Sequence, residues 1–381
     1  MKKILFVSIN DHVIWGGSEV LWSEAALRIA KEDNVEVAFT VKKWPETPIH
    51  LQKLIDVGCV DLRWEEPIKK KKSLFERVVD KLTGADKRRK RALHFSMTAL
   101  DKYNPTLVVI SLGDHNVGFN WTNELRKRKI DYVLVPQLVK DAHIPDEVSE
   151  RYKDLKKGYE NAKMICCVSN DNLALLEKQF GLSFKNTTIV NNPIRSPKAP
   201  INYPESNVFN IACVASLNFN HKAQDVILGV MKNEKWQNRP IHINLYGNGP
   251  HKTLLLQLIE KWGVKNVSLE PFSEIDDIWS KNHMLLLPSR MEGLSLSLLE
   301  AFNFERTVLT TDLGDASRFI EDGITGYLLE FPTVKLLDAK LEQAWNNRDD
   351  WEKMGKLGKE KMLKSIKKDP VEAFSNTLLV I

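Results

Sequence analysis

Short apolar runs alternate along the chain with longer stretches in which apolar residues recur at helical spacing. Each apolar run predicts a buried strand, and each longer stretch predicts a helix that packs on it. Strands and helices that alternate in this way form parallel sheets with crossover helices. The predicted strands are residues 4–8, 35–41, 106–111, 132–136, 164–169, 188–191, 209–216, 241–246, 267–270, 284–287 and 308–311.

The alternation is interrupted once, by a segment with four prolines in the thirteen residues from Asn192 to Pro204. Prolines at this density predict a stiff, extended linker at residues 193–204. The chain is therefore expected to be an α/β protein with two doubly wound domains, residues 1–192 and 205–357. A helical C-terminal segment, about residues 358–381, can pack back on the first domain. Because ligands bind at the carboxyl ends of parallel strands, a site is expected in a central cleft that both domains face.

Composition narrows the class of protein but not its activity. The 381 residues are 43% hydrophobic and 28% charged, which is typical of a soluble globular protein. No apolar run reaches the roughly 18 residues of a membrane span, and the apolar start of the chain is too short for a signal peptide. The four cysteines show no metal-ligand or disulfide spacing, so we expect buried free thiols and a cytoplasmic protein.

Positive charge is concentrated in one segment, residues 67–95. This segment carries eleven lysines and arginines against three acids, a local charge of +8 in a chain whose total is +5. Its apolar residues fall at helical spacing, so two interpretations stay open. The segment can attract an anionic membrane surface, which would make the protein peripheral at the inner face of the cell membrane. It can equally be a solvated helix face. Nucleic acid is not expected, because no binding motif and no interleaved aromatic residues occur there.

The most informative motif is PSRMEGLSLSLLEAF, residues 288–302, which follows the predicted strand 284–287. Glu292 stands at the end of the strand, Gly293 follows it, and Glu300 lies about two helical turns further on. A glycine before a helix start leaves backbone N–H groups open to phosphate or sugar hydroxyls. Carboxylates at these points can accept hydrogen bonds from a diol, but the spacing alone is equally compatible with two exposed acids.

Other strand ends carry weaker signals. Gly16 and Gly17 follow the first strand and precede a helix, where they allow a ligand to approach the backbone. Lys222 follows the first strand of the second domain and can reach a phosphate. Gly247 ends the next strand in a glycine turn.

Together these motifs resemble the retaining glycosyltransferases of the two-Rossmann (GT-B) architecture, in particular family 4. PSRMEGLSLSLLEA resembles the family's Glu-x7-Glu motif, and the resemblance extends over almost the whole chain. It includes the glycine loop at Gly16, the lysine segment at Lys222, Gly247-x-Gly-Pro, and residues 311–326.

The resemblance implies specific roles. Glu300 would hold the ribose hydroxyls of a nucleotide diphosphate sugar, a UDP- or GDP-sugar, and Glu292 would hold the transferred sugar. Lys222 would neutralise the diphosphate, and Gly247 would approach the donor. Further donor contacts would come from backbone groups at Gly16, Gly17, Gly293, Leu294, Ser295 and Leu296. The family needs no obligatory metal or other cofactor, and no DxD-type cluster stands at a strand end here.

Two positions depart from the family pattern. The family's phosphate-binding arginine is replaced by Ser216 or Asn218, for which Arg290 or Arg318 could substitute. The family's first-domain histidine has no direct counterpart; His115 is our candidate, with Asp114 as the alternative.

The resemblance implies transfer of a sugar to a hydroxyl of a glycan or lipid-linked acceptor, in cell-surface polysaccharide or lipopolysaccharide biosynthesis. Two alternatives remain. The chain could be an inactive glycan-binding or partner subunit, as the missing arginine suggests. It could also be another GT-B enzyme, such as a nucleotide-sugar epimerase or a sugar phosphorylase.

Overall fold

The computed structural model describes residues 1–10, 14–65, 97–141, 149–366 and 369–381. The chain divides into two compact units. Unit 1 comprises residues 1–168, 172–192 and 369–381, and unit 2 comprises residues 169–171 and 193–368. The basic segment 67–95, on which the membrane prediction rests, lies outside the described residues.

Unit 1 contains a seven-stranded sheet in which all recorded pairings are parallel. The order is β3-β2-β1-β4-β5-β6-β7, so the strand order reverses at the neighbouring pair β1 and β4. The strands are β1 (Lys2–Ser8), β2 (Val35–Thr40), β3 (Val60–Asp61), β4 (Leu107–Leu112), β5 (Asp131–Pro136), β6 (Met164–Cys167) and β7 (Thr187–Ile189).

Helices cover both faces of this sheet and bury an apolar cluster on each. They are α1 (Gly17–Ile29), α2 (Ile49–Asp56), α3 (Phe119–Arg128), α4 (Glu150–Glu160) and α5 (Asn170–Phe180), with a helical stretch at residues 97–103. Strand β4 is buried throughout and β5 is buried from Tyr132 to Pro136, and both are mainly apolar because both of their faces are covered.

The last helix of the chain, α15 (Pro370–Val380), belongs to unit 1 and packs on α1. Its Phe374 and Leu378 are fully buried in the apolar cluster. At its C-terminal end, Lys2 Nζ donates to the carbonyls of Leu378 and Leu379 at 2.8 and 2.9 Å, which satisfies acceptors that a helix end leaves open. The returning segment therefore starts at residue 369, later than the expected 358.

Unit 2 contains a six-stranded sheet, again with parallel pairings only. The order is β10-β9-β8-β11-β12-β13. The strands are β8 (Phe209–Val214), β9 (Ile241–Tyr246), β10 (Val267–Glu270), β11 (Met284–Leu287), β12 (Thr307–Thr311) and β13 (Tyr327–Leu329).

The helices of unit 2 pack on this sheet and bury large side chains, among them the fully buried Trp236 and Trp279. They are α6 (Phe219–Lys222), α7 (Gln224–Met231), α8 (Glu234–Gln237), α9 (Lys252–Lys261), α10 (Ile275–Lys281), α11 (Leu296–Asn303), α12 (Ala316–Phe319), α13 (Val334–Asn346) and α14 (Trp351–Ser365), with a 3-10 turn at Arg348–Asp350.

The proline-rich segment 193–204 belongs to unit 2 and does not stand apart as a linker. The buried guanidinium of Arg306 donates to the carbonyl of Asn202 at 2.7 Å and lies over the ring of Tyr203. A buried guanidinium needs acceptors for its donors, and the extended segment supplies one of them.

The sequence pattern located the central strands within about two residues and missed β3 and β13, which are edge strands of two and three residues. All four cysteines are free and buried, as predicted. In the described part of the chain, no helix is both long and apolar enough to cross a bilayer.

Candidate active site

The carboxyl edge of the unit 2 sheet has a topological switch point between β8 and β11. These two strands are neighbours, but the connections that leave them run to opposite sides of the sheet, β9 on one side and β12 on the other. The loops after β8 and β11 therefore diverge and leave a crevice, which is the usual ligand position in such sheets. Lys222 follows β8 and Glu292 follows β11.

Lys222 and Glu292 meet at this switch point. Lys222 Nζ donates to Glu292 Oε1 at 2.6 Å, and the hydroxyl of Ser289 donates to the same oxygen at 2.7 Å. The lysine is placed by the short helix α6, whose first turn is capped by the side chain of Asn218. The side chains of Lys222 and Glu292 are 20% and 7% exposed, so the pair is largely shielded from solvent and the cation is its more accessible member.

A second ion pair ties the same two loops together. Arg290 donates to both carboxylate oxygens of Asp225 at 2.7 and 2.8 Å and also to the carbonyl of Phe219. The backbone N–H of Arg290 donates to the carbonyl of His221 at 2.8 Å. Arg290 therefore joins the loops after β8 and β11, and both of its terminal nitrogens already have acceptors. Arg318, our other substitute for the missing arginine, bonds the carbonyl of Ser365 and lies 3.7 Å from Asp315.

Glycine is required at Gly247 by the neighbouring backbone. Its φ is +148°, and a Cβ built there would lie 2.0 Å from the carbonyl oxygen of Ala215. Two residues later, a Cβ at Gly249 would lie 2.5 Å from the carbonyl oxygen of Leu217. The loops after β8 and β9 are thus in close backbone contact, which a side chain at either glycine would disturb.

The segment Gly293–Leu296 leads from Glu292 into α11. Gly314, with φ +62°, packs on Gly293 so closely that a Cβ would lie 2.4 Å from the Gly293 carbonyl oxygen. Ser295 is the N-cap, and its hydroxyl accepts from the backbone N–H of Leu298 at 3.3 Å. The first N–H groups of α11 therefore lie at the carboxyl edge of the sheet, where an anion can bind them.

Glu300 lies on α11 and is 6% exposed. Burial raises the pKa of Glu300 to about 7, and the nearby charge of Arg195 limits the rise. The closest approach of the two groups is 3.8 Å, between Arg195 Nε and Glu300 Oε1. The carboxylate thus has weak compensation for its burial, and added hydrogen-bond donors would stabilise its charged form.

Unit 1 has its own polar cluster at the switch point between β1 and β4. Glu19 is 5% exposed and accepts hydrogen bonds from Trp22 Nε1 at 2.6 Å, from the Ser18 hydroxyl at 2.8 Å and from Asn10 Nδ2 at 3.2 Å. Gly16 is the N-cap of α1 and Gly17 its first residue. The backbone at Gly16 is extended, with φ −146°, so its conformation alone does not demand glycine.

His115 is buried, and both of its ring nitrogens have partners. Nε2 lies 2.6 Å from Gln179 Oε1, and Nδ1 accepts from the backbone N–H of Lys140 at 3.3 Å. Burial alone would raise the pKa of Asp114, but the ammonium group of Lys140 at 2.5 Å and the backbone N–H of Asn116 at 2.9 Å hold that pKa well below its ordinary value. Both ring nitrogens of His115 are therefore engaged within unit 1, and its catalytic role stays a prediction.

Residues 201–361 match the family model described as Glycosyl transferases group 1. The matched residues all lie within unit 2, so it is this part of the chain that is similar to the glycosyltransferase family. The chain is similar to the crystal structure of Anabaena HepE in complex with UDP-glucose. The match covers 100% of this chain and 100% of HepE, with a TM-score of 0.72 and 12% sequence identity. At this identity the likeness shows the fold, which is GT-B.

Two curated relatives match parts of the chain. An uncharacterized glycosyltransferase of Methanocaldococcus jannaschii is 25% identical over 212 residues, 54% of this chain and 56% of the relative. The poly(ribitol-phosphate) alpha-N-acetylglucosaminyltransferase of Staphylococcus aureus is 28% identical over 129 residues, 33% of this chain and 26% of the relative. The matched segments therefore span little more than half of one relative and about a quarter of the other.

The structure adds two residues that the sequence motifs did not single out as site residues, Glu19 and Arg195. Glu19 stands two residues after Gly17, so the glycine loop gave a faint signal for it. Arg195 lies in the proline-rich segment and is distant in sequence from Glu300, so only the folded chain brings the two together.

Proposed function

We propose that the protein is a retaining glycosyltransferase of the family 4 type. It transfers a sugar from a nucleotide diphosphate sugar to a hydroxyl of a glycan or lipid-linked acceptor, in the biosynthesis of a cell-surface polysaccharide or lipopolysaccharide. The observation that carries the proposal is the Lys222–Glu292 pair at the switch point of the unit 2 sheet. The carboxylate of Glu300 and the backbone N–H groups at the start of α11 add the acceptor and the donors that binding of a nucleotide diphosphate sugar needs.

The donor site needs both a cation and hydrogen-bond acceptors. When the bond from sugar to diphosphate breaks, negative charge grows on the leaving diphosphate. Lys222 and the N–H groups at the start of α11 would stabilise that charge because they are fixed before the reaction begins. Glu292 would accept hydrogen bonds from the sugar, and Glu300 from the ribose.

UDP is the nucleotide we favour, with GDP as the second candidate. The support is that HepE, which has the same fold over its whole length, was crystallised with UDP-glucose. Retention is supported by the name of the Staphylococcus aureus relative, an alpha-N-acetylglucosaminyltransferase. A sugar that is α-linked in the donor and α-linked in the product has kept its configuration, and NMR of the product's anomeric proton would test this.

The first experiment is a thermal-shift titration with UDP, GDP, ADP, CMP and dTDP. Lys222→Ala and Glu300→Ala are compared with the parent, and Lys265→Ala and Glu260→Ala, at exposed positions of unit 2, serve as matched controls. A ligand that binds only the folded protein raises the melting temperature by mass action. We expect UDP to stabilise the parent and both controls but neither site variant. Equal stabilisation of all five proteins would contradict the site.

A turnover assay then separates the alternatives. The chain is incubated with UDP-glucose, with and without a mixed oligosaccharide acceptor, and the nucleotide and sugar products are identified. Sugar transfer that depends on the acceptor supports the proposal. A new UDP-sugar or free UDP formed without acceptor would indicate an epimerase, and binding without any product would favour the inactive glycan-binding subunit.

We also propose that the basic segment 67–95 attracts an anionic bilayer. The support is its local charge of +8, since each lysine or arginine near such a surface contributes about 1 kcal/mol. In a liposome sedimentation assay with phosphatidylserine vesicles, replacement of Lys69, Lys70, Lys71 and Lys72 by glutamate should abolish binding. Unchanged sedimentation of the variant would refute the proposal.

A further inference from the structure

The segment that opens unit 2 is held against α11 by the side chain of Asn303. Asn303 Nδ2 donates to the carbonyl of Arg195 at 2.9 Å and contacts the hydroxyl of Ser196 at 3.3 Å. Further along, the backbone N–H of Lys198 donates to Asp276 Oδ2 at 3.3 Å. These contacts fix the backbone of residues 195–198, so the position of the Arg195 side chain follows from the fold of unit 2.

The Arg195 guanidinium reaches Glu300, three residues before Asn303 on the same helix. The nitrogen-to-oxygen distance is 3.8 Å, and the side chains are 49% and 8% exposed. The two side chains therefore differ in exposure, since the carboxylate is buried and the guanidinium is half exposed to solvent. Arg195 can keep its charge at little cost, whereas Glu300 loses most of its hydration.

Within the part of the chain that the structure describes, the other elements packed on α11 bring no second cation to Glu300. Strands β11 and β12 carry only apolar and threonine residues. On α14, Lys359 is engaged at 2.9 Å by Glu305, which lies beyond the end of α11. Arg195 is the charged group that acts on Glu300 among the described residues.

We propose that Arg195 is a positioning residue that keeps the Glu300 carboxylate ionised and turned toward the hydroxyls of the bound ribose. The assignment of ribose to Glu300 rests on the proposed function, whereas the ion pair itself does not. An ionised carboxylate accepts stronger hydrogen bonds from a diol than the neutral acid does. Donor binding would also cover the guanidinium, which would strengthen its attraction for Glu300 because less water would screen the pair.

The test is the pH profile of UDP affinity, measured by calorimetry between pH 5.5 and 9. Each affinity is expressed as a ratio of variant to parent, because titration of the UDP phosphate is then common to both and cancels. The variants are Arg195→Gln and Arg195→Lys, with Lys198→Gln as the control that removes one charge from the same segment.

The UDP affinity should change with pH as Glu300 ionises. We expect Arg195→Gln to raise the midpoint pH of this change by about one unit. Its UDP affinity would then fall several-fold near pH 7 and return toward the parent value at pH 9. Arg195→Lys and Lys198→Gln should follow the parent. A loss of affinity that is the same at every pH, or an Arg195→Lys variant as impaired as Arg195→Gln, would overturn the proposal.

A measurement without nucleotide separates this inference from the donor assignment. Unfolding free energies of the parent, Arg195→Gln, Glu300→Gln and the double variant give the coupling of the two side chains by a double-mutant cycle. Coupling at pH 8 that disappears at pH 5 supports the ion pair even if UDP fails to bind, in which case only the proposed function is lost. Absence of coupling at both pH values would refute the role of Arg195.

Discussion

Glu300 is deeply buried, and only a distant cation offsets the cost of burying its charge. Its carboxylate is 6% exposed, and its closest cation lies 3.8 Å away. Burial raises the pKa of Glu300 to about 7, from an ordinary value of 4.5. Between these two values the folded chain holds a proton that the unfolded chain has released, so folding is linked to pH through this residue.

The sign of that linkage gives a prediction for Glu300→Gln. The contribution of Glu300 to stability is fully present below pH 4.5 and is lost as the pH rises through about 7. The glutamine variant has no such loss, so relative to the parent it should gain about 2–3 kcal/mol of unfolding free energy between pH 5 and pH 8. Urea denaturation at both pH values measures this, and a difference that does not change with pH would contradict the raised pKa.

Gly247 illustrates a second property of single residues at the site, the close approach of two backbone segments. A Cβ there would meet the carbonyl oxygen of Ala215 at 2.0 Å, in a loop that leads to Lys222. Gly263 also has positive φ, +61°, but no atom lies within 4 Å of the position that a Cβ would take there. The two glycines therefore separate the cost of strain from the cost of a clash.

We expect Gly247→Ala to lower the unfolding free energy by about 3 kcal/mol or more, because the β8 loop must shift in addition to the backbone strain. Gly263→Ala should cost only about 1–2 kcal/mol. Gly247→Ala should also weaken UDP binding, and Gly263→Ala should not. Denaturation curves and UDP calorimetry on both variants test this, and equal costs would show that the β8 loop adapts freely.

Among the helices, α15 shows how an element far along the chain completes a core. Phe374 and Leu378 fill the apolar cluster beneath α1, where the side chains of Leu21 and Trp22 are also buried. Arg28 on α1 pairs with Asp369 at 2.7 Å, but that pair is over 40% exposed on both sides and adds little. Burial of the aromatic ring, and not the ion pair, therefore holds the helix.

Phe374→Ala should lower the unfolding free energy of unit 1 by about 3–5 kcal/mol, the usual cost of removing a buried ring. Val380→Ala is the matched control on the same helix, because Val380 is 85% exposed, and it should change stability by less than about 0.5 kcal/mol. Urea denaturation of both variants gives the comparison. A small effect of Phe374→Ala would mean that α15 is dispensable for unit 1.

At the level of the whole chain, the residues proposed to bind the donor, Lys222, Glu292 and Glu300, all belong to unit 2, while α15 belongs to unit 1. A ligand that binds only unit 2 stabilises that unit directly. Multi-domain chains often depart from two-state unfolding, so a calorimetric scan should resolve two transitions.

We expect UDP at a hundred times its dissociation constant to stabilise one transition by about 2.7 kcal/mol. Gly247→Ala should lower the temperature of this same transition, and Phe374→Ala should lower that of the other. Differential scanning calorimetry of the full-length parent and both variants checks the assignment. A single transition that UDP and both substitutions shift together would show that the two units unfold as one.

The amino-acid pattern by itself determined the alternation of strands and helices and the positions of the central strands, because strands buried on both faces must be apolar throughout. It could not locate β3 and β13, since edge strands of two and three residues carry too few apolar positions to form a pattern. The motifs placed Lys222 and Glu292 at strand ends and Glu300 on the helix that follows, and parallel strands bring such ends to the same edge.

Tertiary structure decided which partner each of these side chains has. Arg290 is paired with Asp225, His115 is buried against Gln179, and Arg195 stands beside Glu300. None of these pairs has a characteristic sequence spacing, because a contact between residues far apart in the chain depends on how helices pack. Strand periodicity is a local property of the backbone, whereas ion pairing and burial depend on the complete arrangement of each unit.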